Sequence, residues 1–120
     1  MKQALTVGQQ AEQWASEYLH KQGLKLVSQN YHCRRGEIDL IMTDQDILVF
    51  VEVRYRKTNT FGSALESIDL KKQTKIIFTA EHYLQQKKPS FSHFRFDVVA
   101  ITGHQTNLDI IWVKDAFQLS

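Results

Sequence analysis

At 120 residues, 42% hydrophobic and 23% charged, with a single proline, the chain has the size and balance of one globular domain covering 1–120, which argues against a disordered or low-complexity polypeptide. No apolar stretch approaches the roughly 20 residues of a membrane span, and the amino terminus lacks a basic segment followed by an apolar one, so a cytoplasmic protein with no membrane association is expected. Net charge is only +2, and Cys33 is the single cysteine, which leaves no internal disulfide and no thiolate cluster for zinc.

Thr6 and Gln9 have the spacing of a capping box, which predicts a helix beginning near Val7. Ala11, Trp14, Ala15, Tyr18 and Leu19 then recur on one face, and Gly23 marks the stop. Glu12 falls at the margin of that stripe and can reach the edge of the core, whereas Glu17 lies well outside it. A short strand is expected over 24–29.

Next comes a hairpin whose arms are Gly36-Glu37-Ile38-Asp39-Leu40-Ile41 and Ile47-Leu48-Val49-Phe50-Val51-Glu52-Val53-Arg54, around a turn at 43–46. The second arm is apolar on both faces until Glu52, which places it centrally in its sheet. Alternation sets Glu52 with Arg54 on one face and Asp39 with Glu37 and Ile41; which faces coincide depends on a register the sequence does not reveal.

A loop is expected over 59–67, then a second helix over 68–86 with Leu70, Ile77, Ala80 and Leu84 as its apolar line. Gln73 falls in the middle of that line, so it either bonds a main-chain group or lines a site, while Lys72 and Lys75 point elsewhere. Strands over 94–101 and 108–113 form a closing hairpin. Asp97 within it reads as a structural acid paired with Arg95 or a neighbouring base, ahead of a metal ligand, and Trp112 reads as core packing. The order α-β-β-β-α-β-β describes an α/β (α+β) layered domain with a mixed sheet of about five strands flanked by helices.

Asp39 and Glu52 carry most of the functional information. Burying a lone ionised carboxylate costs several kcal/mol, and two acids brought together by strand pairing repel each other. A shared divalent cation removes both difficulties. Glu12, Asp39 and Glu52 can supply the oxygen ligands that magnesium or manganese prefers, and such an ion assists phosphodiester hydrolysis. Basic clusters at Arg34-Arg35, Arg54-Tyr55-Arg56-Lys57 and Lys71-Lys72 offer contacts for a phosphate backbone. The five histidines, His20, His32, His82, His93 and His104, lack zinc-ligand spacing and read as surface or loop residues. No phosphate-cradling glycine motif and no serine or cysteine nucleophile context is present.

These motifs, together with Gly8, Glu12 and Ala15, Lys72-Gln73, and Arg95-Phe96-Asp97-Val98-Val99, resemble the YraN family of small bacterial proteins. That family is a branch of the PD-(D/E)XK nuclease-like superfamily, which includes archaeal Holliday-junction resolvases. The resemblance spans nearly the whole chain and implies a restriction endonuclease-like α-β-β-β-α-β core. It puts Asp39 at the motif aspartate, Glu52 at the second acid and Glu12 at the helix-one glutamate. One departure stands out: where the superfamily carries lysine, this chain has Arg54, which stays protonated and cannot act as a general base.

The expected function is therefore a magnesium- or manganese-dependent endonuclease acting on DNA, with branched substrates implied by the resemblance alone. In that reading Glu12, Asp39 and Glu52 are metal ligands, Arg54 contacts phosphate or the transition state, and Gln73 orients. Arg34, Arg35, Arg56, Lys57 and Lys72 bind the nucleic acid, and a homodimer follows by analogy, because two strands need two cuts. The rivals are a nucleic-acid-binding module that has lost turnover through the arginine exchange, and a protein-interaction adaptor whose acids serve internal ion pairs.

Overall fold

In a computed structural model, residues 4–57, 61–104 and 106–118 are described, without the side chains of 61–63. Their order is α1 (Val7–Lys21), β1 (Lys25–Cys33), β2 (Gly36–Asp44), β3 (Ile47–Arg56), α2 (Phe61–Glu66), α3 (Leu70–Lys87), β4 (His93–His104) and β5 (Asn107–Phe117). The expected mixed sheet with flanking helices is present, with one addition. The six-residue α2 occupies most of the segment read as a loop; the start of that loop at Asn59 lies outside the described residues. No helix among the described residues is long and apolar enough to cross a membrane.

The capping box at α1 forms in both directions: Gln9 N donates to Thr6 Oγ1 at 3.1 Å, and Thr6 N to Gln9 Oε1 at 3.0 Å. At its other end Gly23 takes φ +103°, Gly23 N donates to His20 O, and Leu24 N reaches back to Leu19 O, each at 3.0 Å. This paired closure needs a left-handed residue, hence glycine.

Strand order in the sheet is β1-β2-β3-β4-β5. All neighbours are antiparallel except β3 and β4, whose parallel pairing requires the crossover that α2 and α3 supply. β3 is thus the central strand, as its two apolar faces require. On one side of the sheet Ala11, Ala15 and Leu19 of α1 pack on Leu40, Met42, Val49, Val51, Val99 and Ile101. On the other, Ile76, Ala80 and Tyr83 of α3 pack on Ile41, Leu48, Phe50, Phe96 and Val98.

The inward face of α3 differs from the expected one. Ile76, Thr79, Ala80 and Tyr83 are buried, and Leu70 is 79% exposed. Thr79 can face the core because its hydroxyl donates to Lys75 O at 2.8 Å, and Tyr83 meets Phe50 and Tyr31 edge to face. A hydrophobicity pattern undervalues both residues, which turns the helix by about one position. The helix also starts later than expected, at Leu70, with Asp69 Oδ1 accepting from Lys72 N at 2.9 Å.

Asp97 plays the structural part expected of it. Fully buried, it accepts from Arg95 Nε at 2.9 Å, Trp112 Nε1 at 2.9 Å and Asp115 N at 3.0 Å, while Arg95 Nη2 reaches Asp44 at 2.9 Å. Trp112 is thus a donor as well as a packing residue. Asp97→Ala leaves these donors without their acceptor, and urea denaturation should show a loss of about 3–5 kcal/mol. A loss below about 1 kcal/mol would show that the network is dispensable.

Candidate functional site

The β2–β3 ladder runs from the pair Asp44 and Ile47 to the pair Leu40 and Val51, where it stops. One more step of the same register sets Asp39 opposite Glu52. There the Val53 N–H donates to Asp39 Oδ2 at 2.8 Å, so a side chain takes over where strand pairing ends. The core registers the same break: Ile38 and Ile41 pack on the α3 side while Leu40 and Met42 pack on the α1 side, a departure from strict alternation at Asp39. The two acids thereby line one cavity, a relation that the sequence left open.

A cavity of about 310 Å³ opens at this point, at the carboxyl-terminal half of β3. Glu12, Glu37, Asp39 and Glu52 line it together with Arg54, Arg56 and Lys72, and Val7 and Gly8 from the first turn of α1 complete one wall. Asp39 and Glu52 are buried, at 8% and 4% exposure. Arg54 Nη2 lies 2.7 Å from Glu52 Oε2, and Lys72 Nζ lies 3.8 Å from the same oxygen. Arg54 Nε is buried and, among the described residues, has no acceptor.

Proton affinity reports burial first and the crowding of negative charge second. Burial lifts the Glu52 carboxyl to about 8, with the Asp39 charge adding to the rise and Arg54 and Lys72 opposing it. Burial also lifts Glu12 to about 7; the Asp39 and Glu37 charges reinforce this, while a hydrogen bond with the Asn30 side chain works against it. Two cations beside Glu52 do not offset its burial and its carboxylate neighbour.

The donor set is hard oxygen, gathered from α1, β2 and β3, the ligand type that magnesium or manganese prefers. Among the described residues no three His, Cys, Asp or Glu side chains stand ready as a complete ligand group. Magnesium usually takes one or two carboxylates and keeps several waters, so Asp39 and Glu52 suffice, with Glu12 at the margin.

The other expected site residues divide. Arg56 and Lys72 line the cavity; Arg34, Arg35 and Lys57 are exposed outside it. Lys72 contradicts its expected direction: with the inward face of α3 turned, its ammonium reaches Glu52. Gln73 does not line the cavity and its Nε2 donates to Ile68 O at 3.1 Å, the main-chain bond that was one of its two readings. Asn30, Glu37 and Tyr55 were not singled out. Only Asn30 carried a local signal, as a residue tolerant of the positive φ of 54° it adopts within β1.

Because Glu12 and Glu52 hold protons more tightly folded than unfolded, the native state binds more protons than the unfolded chain between the ordinary glutamate value of 4.5 and their raised values of about 7 and 8. Their contribution is therefore most favourable at low pH and is lost as pH rises through that window. In chelator-treated protein the urea midpoint should fall from pH 5.5 to 8.5, and Glu52→Gln should flatten the slope. Identical slopes in the two proteins would contradict the charge crowding.

Comparison with known proteins places this architecture among relatives. A family model described as "Uncharacterised protein family UPF0102" matches residues 11–101. A UPF0102 protein of Nitrosococcus oceani is 51% identical over 117 residues, covering 93% of this chain and 91% of its own. One from Psychromonas ingrahamii is 53% identical over 108 residues, with 90% and 86% covered, and one from Pseudomonas fluorescens is 51% identical over 114 residues, with 94% and 93% covered. The match takes in α1 from Ala11 onward, the β2–β3 hairpin with both central acids, and α3, and on it the chain belongs to the UPF0102 family.

Proposed function

We propose that the chain is a divalent-metal-dependent nuclease of the PD-(D/E)XK type that hydrolyses phosphodiester bonds in DNA. The observation that carries this reading is the meeting of Asp39 and Glu52 where the β2–β3 ladder ends, in one cavity with Arg54 and Lys72. The YraN-like motifs, which contain the same two acids, accord with it.

Asp39 and Glu52, with Glu12 beside them, would hold the ion. Magnesium or manganese would supply polarisation of a phosphoryl oxygen and acidification of the attacking water. Arg54 and Lys72 supply positive charge where a phosphate would enter, and the unpartnered Arg54 Nε is a donor of the kind phosphate oxygens accept. Arg54 cannot take a proton from water.

The 2.7 Å pair between Arg54 and Glu52 favours a second reading, in which the arginine neutralises the acid and leaves a nucleic-acid-binding module without turnover. A cleavage assay with magnesium or manganese on single-stranded, duplex and branched DNA, and on RNA, separates the two. We expect cleavage of DNA, lowered at least about a hundredfold in Asp39→Ala. Equal activity in the variant would overturn the site assignment, and salt-sensitive binding without cleavage would favour the second reading.

A further inference from the structure

A second basic surface lies beside the carboxylate cavity. Lys71, Thr74, Lys75 and Phe78 recur at helical spacing on the outer face of α3, and with Arg35 from the β1–β2 turn they line a hollow of about 500 Å³. Phe78 is 41% exposed, and the Arg35 guanidinium stands 4.8 Å from the centre of its ring. Among the described residues no carboxylate pairs with Arg35, Lys71 or Lys75, and none lines the hollow.

The turn that carries Arg35 is held close to the helix. A Cβ at Gly36 would come 2.9 Å from Thr79 Oγ1 and 3.4 Å from Lys75 O, so only glycine allows this approach without displacement. Arg35 is therefore set over Phe78 by the backbone contact one residue later. The hollow and the cavity share no lining residue, but α3 contributes to both through neighbouring positions, Lys71 to the hollow and Lys72 to the cavity.

We propose that this face binds single-stranded nucleic acid, one base stacking against Phe78 and Arg35 while Lys71 and Lys75 contact the flanking phosphates. An arginine plane lying over an aromatic ring offers its outer face to a base, and the cations without acids offer what a backbone needs. Duplex DNA keeps its bases stacked inside and gains only the phosphate contacts. The proposal rests on the nucleic-acid reading above and names its substrate class: a strand with unpaired bases next to the point of hydrolysis.

The test is fluorescence anisotropy of labelled thymidine 20-mer, an abasic strand of equal length and a 20-base-pair duplex, with chelator present, on wild type, Phe78→Ala, Phe78→Tyr and Lys71→Ala/Lys75→Ala. Thermal melts confirm that each variant folds. We expect Phe78→Ala to weaken thymidine-strand binding about tenfold and leave abasic and duplex binding unchanged. Phe78→Tyr should retain affinity, and the double lysine variant should lower the single-strand salt slope by about 0.7 per lysine. Equal affinity of wild type for abasic and thymidine strands, or an unaltered Phe78→Ala, overturns this proposal while duplex binding or cleavage leaves the nuclease reading standing. Failure of wild type to bind any strand overturns this proposal, whereas the nuclease reading stands or falls on the cleavage assay with metal.

Discussion

Repulsion between carboxylates confined to a poorly solvated corner organises this molecule around one point. Strand pairing alone would carry β2 and β3 onward together. Instead the ladder stops after Leu40 and Val51, Asp39 takes the Val53 amide, and Glu52 lies opposite. Charge of one sign collected there has to be met by protons, by cations of the chain, or by an ion. The first two answers leave a mark, in two glutamates with raised proton affinity and in Arg54 and Lys72 on one oxygen of Glu52; the third is the proposal that a divalent ion binds there.

The rest of the fold is what holds that corner open. Asp97 shows the contrast within the same sheet. It is as deeply buried as Glu52, yet it is met by a guanidinium, an indole N–H and a main-chain N–H, so it asks for nothing further. Glu52 has two cations and still binds its proton tightly. The two buried acids differ in whether the local donors suffice.

Much of this architecture was legible in the sequence. The capping box and glycine stop bounded α1, and the doubly apolar run from Ile47 located the central strand, because burial on both faces leaves a strong signature. Asp39 and Glu52 stood out for the same reason, as charges within apolar runs. Their meeting was not legible, since it depends on register, which is a property of two strands and not of either. The inner face of α3 was misread because Thr79 and Tyr83 satisfy their polar atoms locally and then behave as core residues. That error also hid Lys72, whose direction follows from the helix orientation. Arg35 and Phe78 lie far apart in sequence and meet only because Gly36 lets the turn approach α3.

Affinity for an ion tests the central claim without requiring the right polynucleotide. Calorimetric titration of magnesium and manganese into wild type and Glu52→Gln, in two buffers of different ionisation enthalpy, reads both binding and the protons it displaces. We predict saturable binding to wild type with proton release from the glutamates, and its loss in Glu52→Gln. Indistinguishable heats from the two proteins, or no saturable binding to wild type, would contradict a divalent-ion site at Asp39 and Glu52.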